Sequence, residues 1–278
     1  GVVNVILNLF FVIVCHLGVA GVALASMISQ FISAFLILRA LLTGKEKYCL
    51  RLSEIRFDKR KAVGILQIGI PSAFQYSLFA FANLFVQSSV NSFDHVLVEG
   101  NSAAANADPL VYDMMAAFYT ACSSFIAQNF GARKKKRILQ TYLICLFYSF
   151  ITSLVLGVGI YLARYPFLYL FTSDKAVVEA GITRLSIMAL SYSASAFMDA
   201  SIAASRGLGK TAVPTFVVVM GSCVFRIIWI YTIFAYFHTI QSLYILYVFS
   251  WGITAIAENI YFFHVYRHTL TGKTESHL

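Results

Sequence analysis

The chain has 278 residues, 59% of them hydrophobic and 12% charged, and a formal net charge of +9. Soluble domains carry roughly 25% charged residues, so a water-facing fold is excluded, and the number of separate apolar runs excludes a single-pass protein or a lone signal peptide. Whether the positive charge marks an anionic partner or a membrane face depends on where the 21 Lys and Arg fall.

A bilayer core of about 30 Å needs about 20 apolar helical residues to cross. That ruler finds eight runs, at about 2–15, 18–42, 62–90, 103–130, 138–163, 176–204, 212–237 and 241–266. All read as helices, because backbone inside hydrocarbon must satisfy its own hydrogen bonds and no run alternates like a barrel strand. The fold class is all-α, a polytopic membrane protein. The first run is too short to cross and begins at Gly1 without Met or a basic flank. It reads as a helix entered part-way, and the chain as a fragment.

Seventeen basic residues lie on alternate connections: eight from Arg39 to Lys61, five from Arg133 to Arg137, then Arg206 with Lys210 and Arg267 with Lys273. The intervening connections hold only Arg164 and Lys175, so the basic side is the cytoplasm. A nucleic-acid groove is the poorer reading, since lipid and topology already explain the basic turns. Five scattered cysteines form no metal or redox spacing. His264 and His268 stand one turn apart at a basic helix end, which a solvated terminus explains better than zinc. No metal or cofactor is expected.

Residues 43–61 form the one long hydrophilic connection and suggest an amphipathic segment on the inner membrane surface, with a boundary near residue 60. The division is then 1–42, two helices; 43–61, cytoplasmic linker; 62–267, six helices; and 268–278, cytoplasmic tail. Asn4 and His16 are spaced like Arg226 and His238, a weak internal repeat of the kind found in two-bundle transporters.

Several blocks carry a resemblance. They are VNVILNLFFVIVCHLGVAGVALASMISQ at 3–30, IGIPSAFQYSLFAFANLFVQSSVNSF at 68–93, the GNSAAAN and QNFGA motifs within 98–138, FMDASIAASRGLGKTAVP at 197–214, and CVFRIIWIYTIF at 223–234. Together and in this order they resemble the multidrug and toxic compound extrusion (MATE) family across nearly the whole chain. The resemblance implies a twelve-helix fold in two six-helix lobes, of which this chain holds the last two helices of the first lobe and all of the second. It also implies an antiporter that expels organic, often cationic, compounds in exchange for sodium ions or protons, with small organic substrates and membrane lipid as partners. A complete transporter needs the first four helices as well.

An ionisable residue deep in a span costs about 2.5–3.5 kcal/mol on insertion scales, so each is a functional candidate. Asp199, before the RGLG turn, leads: one carboxylate can hold a proton, a sodium ion or an organic cation, but only one at a time. The resemblance supports an acid on this helix. The bland reading pairs it with Arg206 or Arg226. Arg226 lies in an apolar run and cannot lose its charge, so Asp199 or Glu258 is the expected partner. For Glu258 a fixed pair and a second titrating site stand open. Asp113 is an ordinary acid one turn into a helix capped at Asp108-Pro109, or a cavity acid if the helix starts near Asn101. Gln67, Gln75, Asn83 and Gln87 recur at multiples of four and make a polar arc that lines a cavity with Tyr76 or bonds neighbouring helices. Pro71 marks a hinge or a static kink. Tyr112 and Tyr192 are candidates for an aromatic wall.

Two other readings remain. A lipid-linked oligosaccharide flippase of similar architecture would carry more basic cavity residues. A membrane-embedded enzyme would show HExxH or paired aspartates, and no GxxxxGK[ST] nucleotide loop occurs.

Overall fold

The computed structural model describes residues 1–43 and 49–269, and every regular element among them is helical. We number the long helices α1 (Val2–Val14), α2 (Gly18–Thr43), α3 (Lys59–Val90), α4 (His95–Gly131), α5 (Lys135–Leu162), α6 (Lys175–Gly207), α7 (Ala212–Phe237) and α8 (Ile240–Thr269). Seven are long and apolar enough to cross a membrane; α1 is the short one. The chain divides into two compact units, Gly1–Ala62 and Val63–Leu278.

In the first unit α1 packs on α2 across a turn at His16, which adopts a left-handed φ of 53°. The pairing is polar: Asn4 Nδ2 donates to Ser29 Oγ at 3.1 Å and to Ser26 Oγ at 3.4 Å, and Asn8 Nδ2 donates to Asn4 Oδ1 at 3.0 Å. A Cβ at Gly21 would lie 3.0 Å from Phe11 Cβ, so the missing side chain is what lets the helices meet. The expected amphipathic segment of the linker lies only partly within the described residues. Residues 44–48 lie outside them, and the remainder makes one 3₁₀ turn, Leu52–Glu54. Asp58 then starts a new helix, its Oδ1 accepting from the backbone N–H of Arg60 at 2.9 Å and of Lys61 at 3.2 Å. Most of the expected tail, 270–278, lies outside the described residues as well.

The second unit is built around α6. More than half of its residues are buried, and it packs on α4, α5 and α8. Small residues make this possible. Gly100 of α4 faces Ala180 and Gly181, Gly157 of α5 faces the Ala189 carbonyl, and Gly207 of α6 faces Ser123 and Ile126 of α4, each too close for a Cβ. On α5 Ser149, Ser153 and Gly157 form one buried stripe at spacing four. Close backbone approach replaces the hydrophobic driving force that lipid removes. One core cluster joins Ile126, Ile138, Tyr142, Ala204 and Phe262 near the basic connections; a second joins Met115, Met188, Tyr192 and Trp251; a third joins Val90, Trp229, Phe234 and Leu243.

Two elements depart from expectation. The helix expected at 103–130 starts at His95, because Asp94 Oδ1 accepts from the Leu97 N–H at 2.9 Å and caps it there. It then breaks at Asn106, between segments His95–Ala105 and Ala107–Gly131. Pro109 has no N–H for the Ala105 carbonyl, so it marks a break inside the helix rather than its start. Asn106 Nδ2 takes up two of the loosened carbonyls, Ser102 O and Ala103 O, both at 3.1 Å. In α7, two π-turns, Val219–Val224 and Ile230–Phe234, flank the FRIIW segment Phe225–Trp229, and nothing in its apolar run signals them. The helix ends at His238, again left-handed with φ 48°. α1 also carries a π-turn, Phe10–Val14, ahead of left-handed His16. In both segments a π-turn precedes a left-handed histidine, ending two residues before His16 and four before His238.

Candidate functional site: a cavity with one unpaired acid

A cavity of about 550 Å³ lies inside the second unit, walled by α3, α4, α6, α7 and α8. On α3, Gln75, Tyr76, Asn83 and Gln87 line it, so the polar arc turns inward for three of its four members; Gln67 is exposed and outside it. Phe79, Tyr112, Tyr119, Tyr244, Tyr247 and Trp251 supply an aromatic wall. Tyr112 stands edge-on to both Tyr192, centroids 5.8 Å apart, and Trp251, 6.1 Å apart. Tyr192 is buried behind that wall rather than on it. α3 runs through Pro71 as one helix. The proline removes the N–H that would otherwise bond Gln67 O, four residues below the cavity's first polar residue.

Asp199 lines the cavity from α6 and, among the described residues, has neither a hydrogen-bond nor an ion-pair partner. Its expected alternative partner, Arg206, is engaged elsewhere: Arg206 Nη2 donates to Gln75 Oε1 at 2.9 Å, and Thr215 Oγ1 donates to the same oxygen at 3.3 Å. The Tyr76 ring lies 6.0 Å from that guanidinium. Two helical turns separate Asp199 from Arg206 along α6, and an amide across the cavity is the nearer acceptor.

Arg226 contradicts its expected pairing. It is fully buried, yet no carboxylate among the described residues pairs with it. Its Nη1 donates to Asn83 Oδ1 at 2.7 Å and its Nε to Ser250 Oγ at 3.3 Å, while Nη2 has no partner. The rings of Phe79 and Tyr247 each stand 4.6 Å from the guanidinium carbon. Two aromatic faces and neutral oxygens replace the anion, which a planar, weakly hydrated guanidinium permits and an ammonium would not.

An ion pair on the cavity wall escaped the sequence reading. Arg184 of α6, almost entirely buried, donates from Nη2 to Asp108 Oδ2 and from Nη1 to Asn101 Oδ1, both at 2.6 Å. Tyr192 Oη donates to Asp108 Oδ1 at 2.5 Å. Arg184 is a basic residue inside an apolar run, and the cost of burying it flags it as strongly as Arg226. Asp108 looked like a helix cap, but the helix starts thirteen residues earlier and turns its carboxylate into the bundle.

Asp113 and Glu258 do not line the cavity. Asp113 follows Tyr112 by one residue, a rotation of about 100° on a helix, and is exposed. Glu258 is fully enclosed, and neither of its oxygens has a hydrogen-bond partner. The site therefore holds one acid neutralised by Arg184 and one, Asp199, left bare among aromatic rings. Such a carboxylate is equipped to bind a proton, a metal cation or an organic cation.

A family model described as MatE matches residues 71–232, more than half of the chain. This chain belongs to the MATE family. Among curated relatives, the probable multidrug resistance protein NorM of Thermotoga maritima is 24% identical over 204 residues, covering 72% of this chain and 43% of its own length. The probable multidrug resistance protein YoeA of Bacillus subtilis is 26% identical over 181 residues, covering 63% of this chain and 39% of its own. The MATE chain shares its fold with a solved MOP superfamily transporter from Pyrococcus furiosus at a TM-score of 0.86 and 20% identity, over 95% of this chain and 60% of that one. The chain thus spans less than half the length of these curated relatives. It is an all-α, multi-pass membrane protein of the MATE family, as the spans and motifs led one to expect.

Proposed function

We propose that this MATE chain is part of a secondary antiporter that exports organic, often cationic, compounds in exchange for sodium ions or protons. The observation that carries the reading is Asp199, an acid with no partner facing an aromatic cavity. Occupation of one carboxylate by either the exported cation or the entering ion, never both, is enough to make the two fluxes exclude each other. Gln75, Tyr76 and Asn83 serve as polar and aromatic wall. Arg206 and Arg226 act through them, holding Gln75 and Asn83 in place. Pro71 serves as the point at which α3 bends during alternating access. The basic connections face the cytoplasm, which in a bacterium places the protein in the inner membrane. A flippase for anionic lipid-linked sugars is the weaker reading, because both cations on the cavity wall are already bonded, Arg184 to Asp108 and Arg206 to Gln75. In protein expressed from the full reading frame and reconstituted in vesicles, Asp199→Asn is expected to abolish ion-driven efflux of a fluorescent cationic dye with folding intact. Wild-type efflux in that variant overturns the reading.

A further inference from the structure

We propose that Glu258 is a second proton-binding site, enclosed behind the cavity, and that Arg206 exchanges its partner Gln75 for Glu258 when that proton leaves. The inference deepens the transport reading, on which its functional consequence rests. Glu258 occupies the inward face of α8 with Thr254 and Phe262 one turn to either side, all three fully buried. Neither carboxyl oxygen has a partner. A carboxylate enclosed with no donor and no counter-ion in contact is far more costly than the neutral acid, so the arrangement is that of a carboxylic acid holding its proton.

A reserve cation stands on the facing helix, where Ala203 and Ala204 of α6, a turn or less before Arg206, share a core cluster with Phe262, one turn from Glu258. The Nε of Arg206 is buried and without a partner, although Nη2 is bonded to Gln75. The helices packed most extensively against α8 are α6 and α7, and α5 meets it through Tyr142, whose ring stands 4.3 Å from that of Phe262. Of their other ionisable groups, Arg184 bonds Asp108 and Asn101, Tyr192 bonds Asp108, Glu179 accepts from Tyr165, Arg226 bonds Asn83 and Ser250, Asp199 lines the cavity, Cys223 is buried within α7, and Lys135, Lys136 and Arg137 of α5 are exposed. On α8 itself Tyr261 follows Glu258 by three residues, and Tyr142 of α5 bonds the adjacent Asn259 Oδ1.

The step moves one proton. The acid's O–H bond breaks, the electron pair stays on the carboxylate, and the proton leaves to water in the cavity beside Arg206. The new anion then draws the guanidinium from Gln75. That matters because Gln75 holds the lower part of α3 to α6 and α7 through Arg206 and Thr215. Losing the Arg206 bond leaves Gln75 with its Thr215 bond and so loosens the part of α3 that contains Pro71. Protonation of an acid on α8 would thereby set how tightly α3 is tethered.

The test is infrared difference spectroscopy of the full-reading-frame protein in liposomes, stepping from acid to alkaline pH. The wild type is expected to lose a carboxylic acid carbonyl-stretch band, together with changes in guanidinium bands that shift on ¹⁵N labelling of arginine. In Glu258→Gln the Glu258 carbonyl component and the guanidinium changes are lost, whereas Asp199→Asn removes the separate Asp199 carbonyl component and keeps both of these. Glu258→Asp, which retains an acid in a shorter side chain, serves if the glutamine variant does not fold, and its carbonyl band is expected at a displaced frequency. A Glu258→Gln or Glu258→Asp spectrum that superimposes on the wild type overturns the proposal. No part of the readout depends on efflux, so loss of the band in Glu258→Gln alongside normal efflux in Asp199→Asn would reject the transport reading and leave this one standing.

Discussion

Replacing Arg184 tests the ion pair that ties the two segments of α4 to α6. In Arg184→Met the Asp108 carboxylate keeps only its Tyr192 bond and Asn101 loses its donor. Breaking a buried pair from one side costs about 3–5 kcal/mol, because a charge is left uncompensated. The Asp108 side chain is 27% exposed to the cavity, so water screens part of that charge and the lower end, about 3 kcal/mol, is expected. Asp108→Asn strands the guanidinium instead and is expected to cost about as much. In the double variant Arg184→Met/Asp108→Asn no charge remains, and the total should fall short of the sum by about 2 kcal/mol. Equilibrium unfolding in mixed detergent micelles, followed by the fluorescence of Trp229 and Trp251, measures each corner of the cycle. Costs that add to within about 0.5 kcal/mol would show that the pair is not coupled and refute the reasoning.

The same unfolding assay reads two more expectations. Gly157→Ala pushes a methyl into the Ala189 carbonyl where backbone cannot yield, and should cost about 1–3 kcal/mol; Gly159→Ala, on the same helix with open space beside it, should instead be neutral or stabilising by up to about 1 kcal/mol. Equal effects at the two positions would contradict the close helix crossing. Arg226→Lys cannot reproduce the fork to Asn83 and Ser250 between the Phe79 and Tyr247 rings, and is expected to cost about 2 kcal/mol. A lysine variant as stable as the wild type would mean that any cation suffices there.

Much of this was legible before any coordinate. Hydrophobic length located the helices to within a few residues at most ends, because lipid leaves the backbone no other way to bond. The polar arc on α3 and the bare acid on α6 followed from the cost of polar groups in hydrocarbon. What escaped was partner choice. Arg226 was expected to need an anion, and a three-dimensional cage of two rings, an amide and a hydroxyl took its place. Asp108 passed for a cap because Asp-Pro is a familiar helix start, while the true cap, Asp94, lay in an ordinary-looking loop. Periodicity also carries no sign of the π-turns in α7, since one extra residue per turn leaves an all-apolar run unchanged.

The central claim is that one carboxylate serves mutually exclusive cations, and equilibrium binding tests it most directly. With purified protein from the full reading frame, the affinity for tetraphenylphosphonium should weaken as pH falls, approaching about ten-fold per pH unit once protons occupy the site. In Asp199→Asn the binding should be weaker and flat with pH. An unchanged pH dependence in that variant would contradict the claim and place the competing proton on another residue.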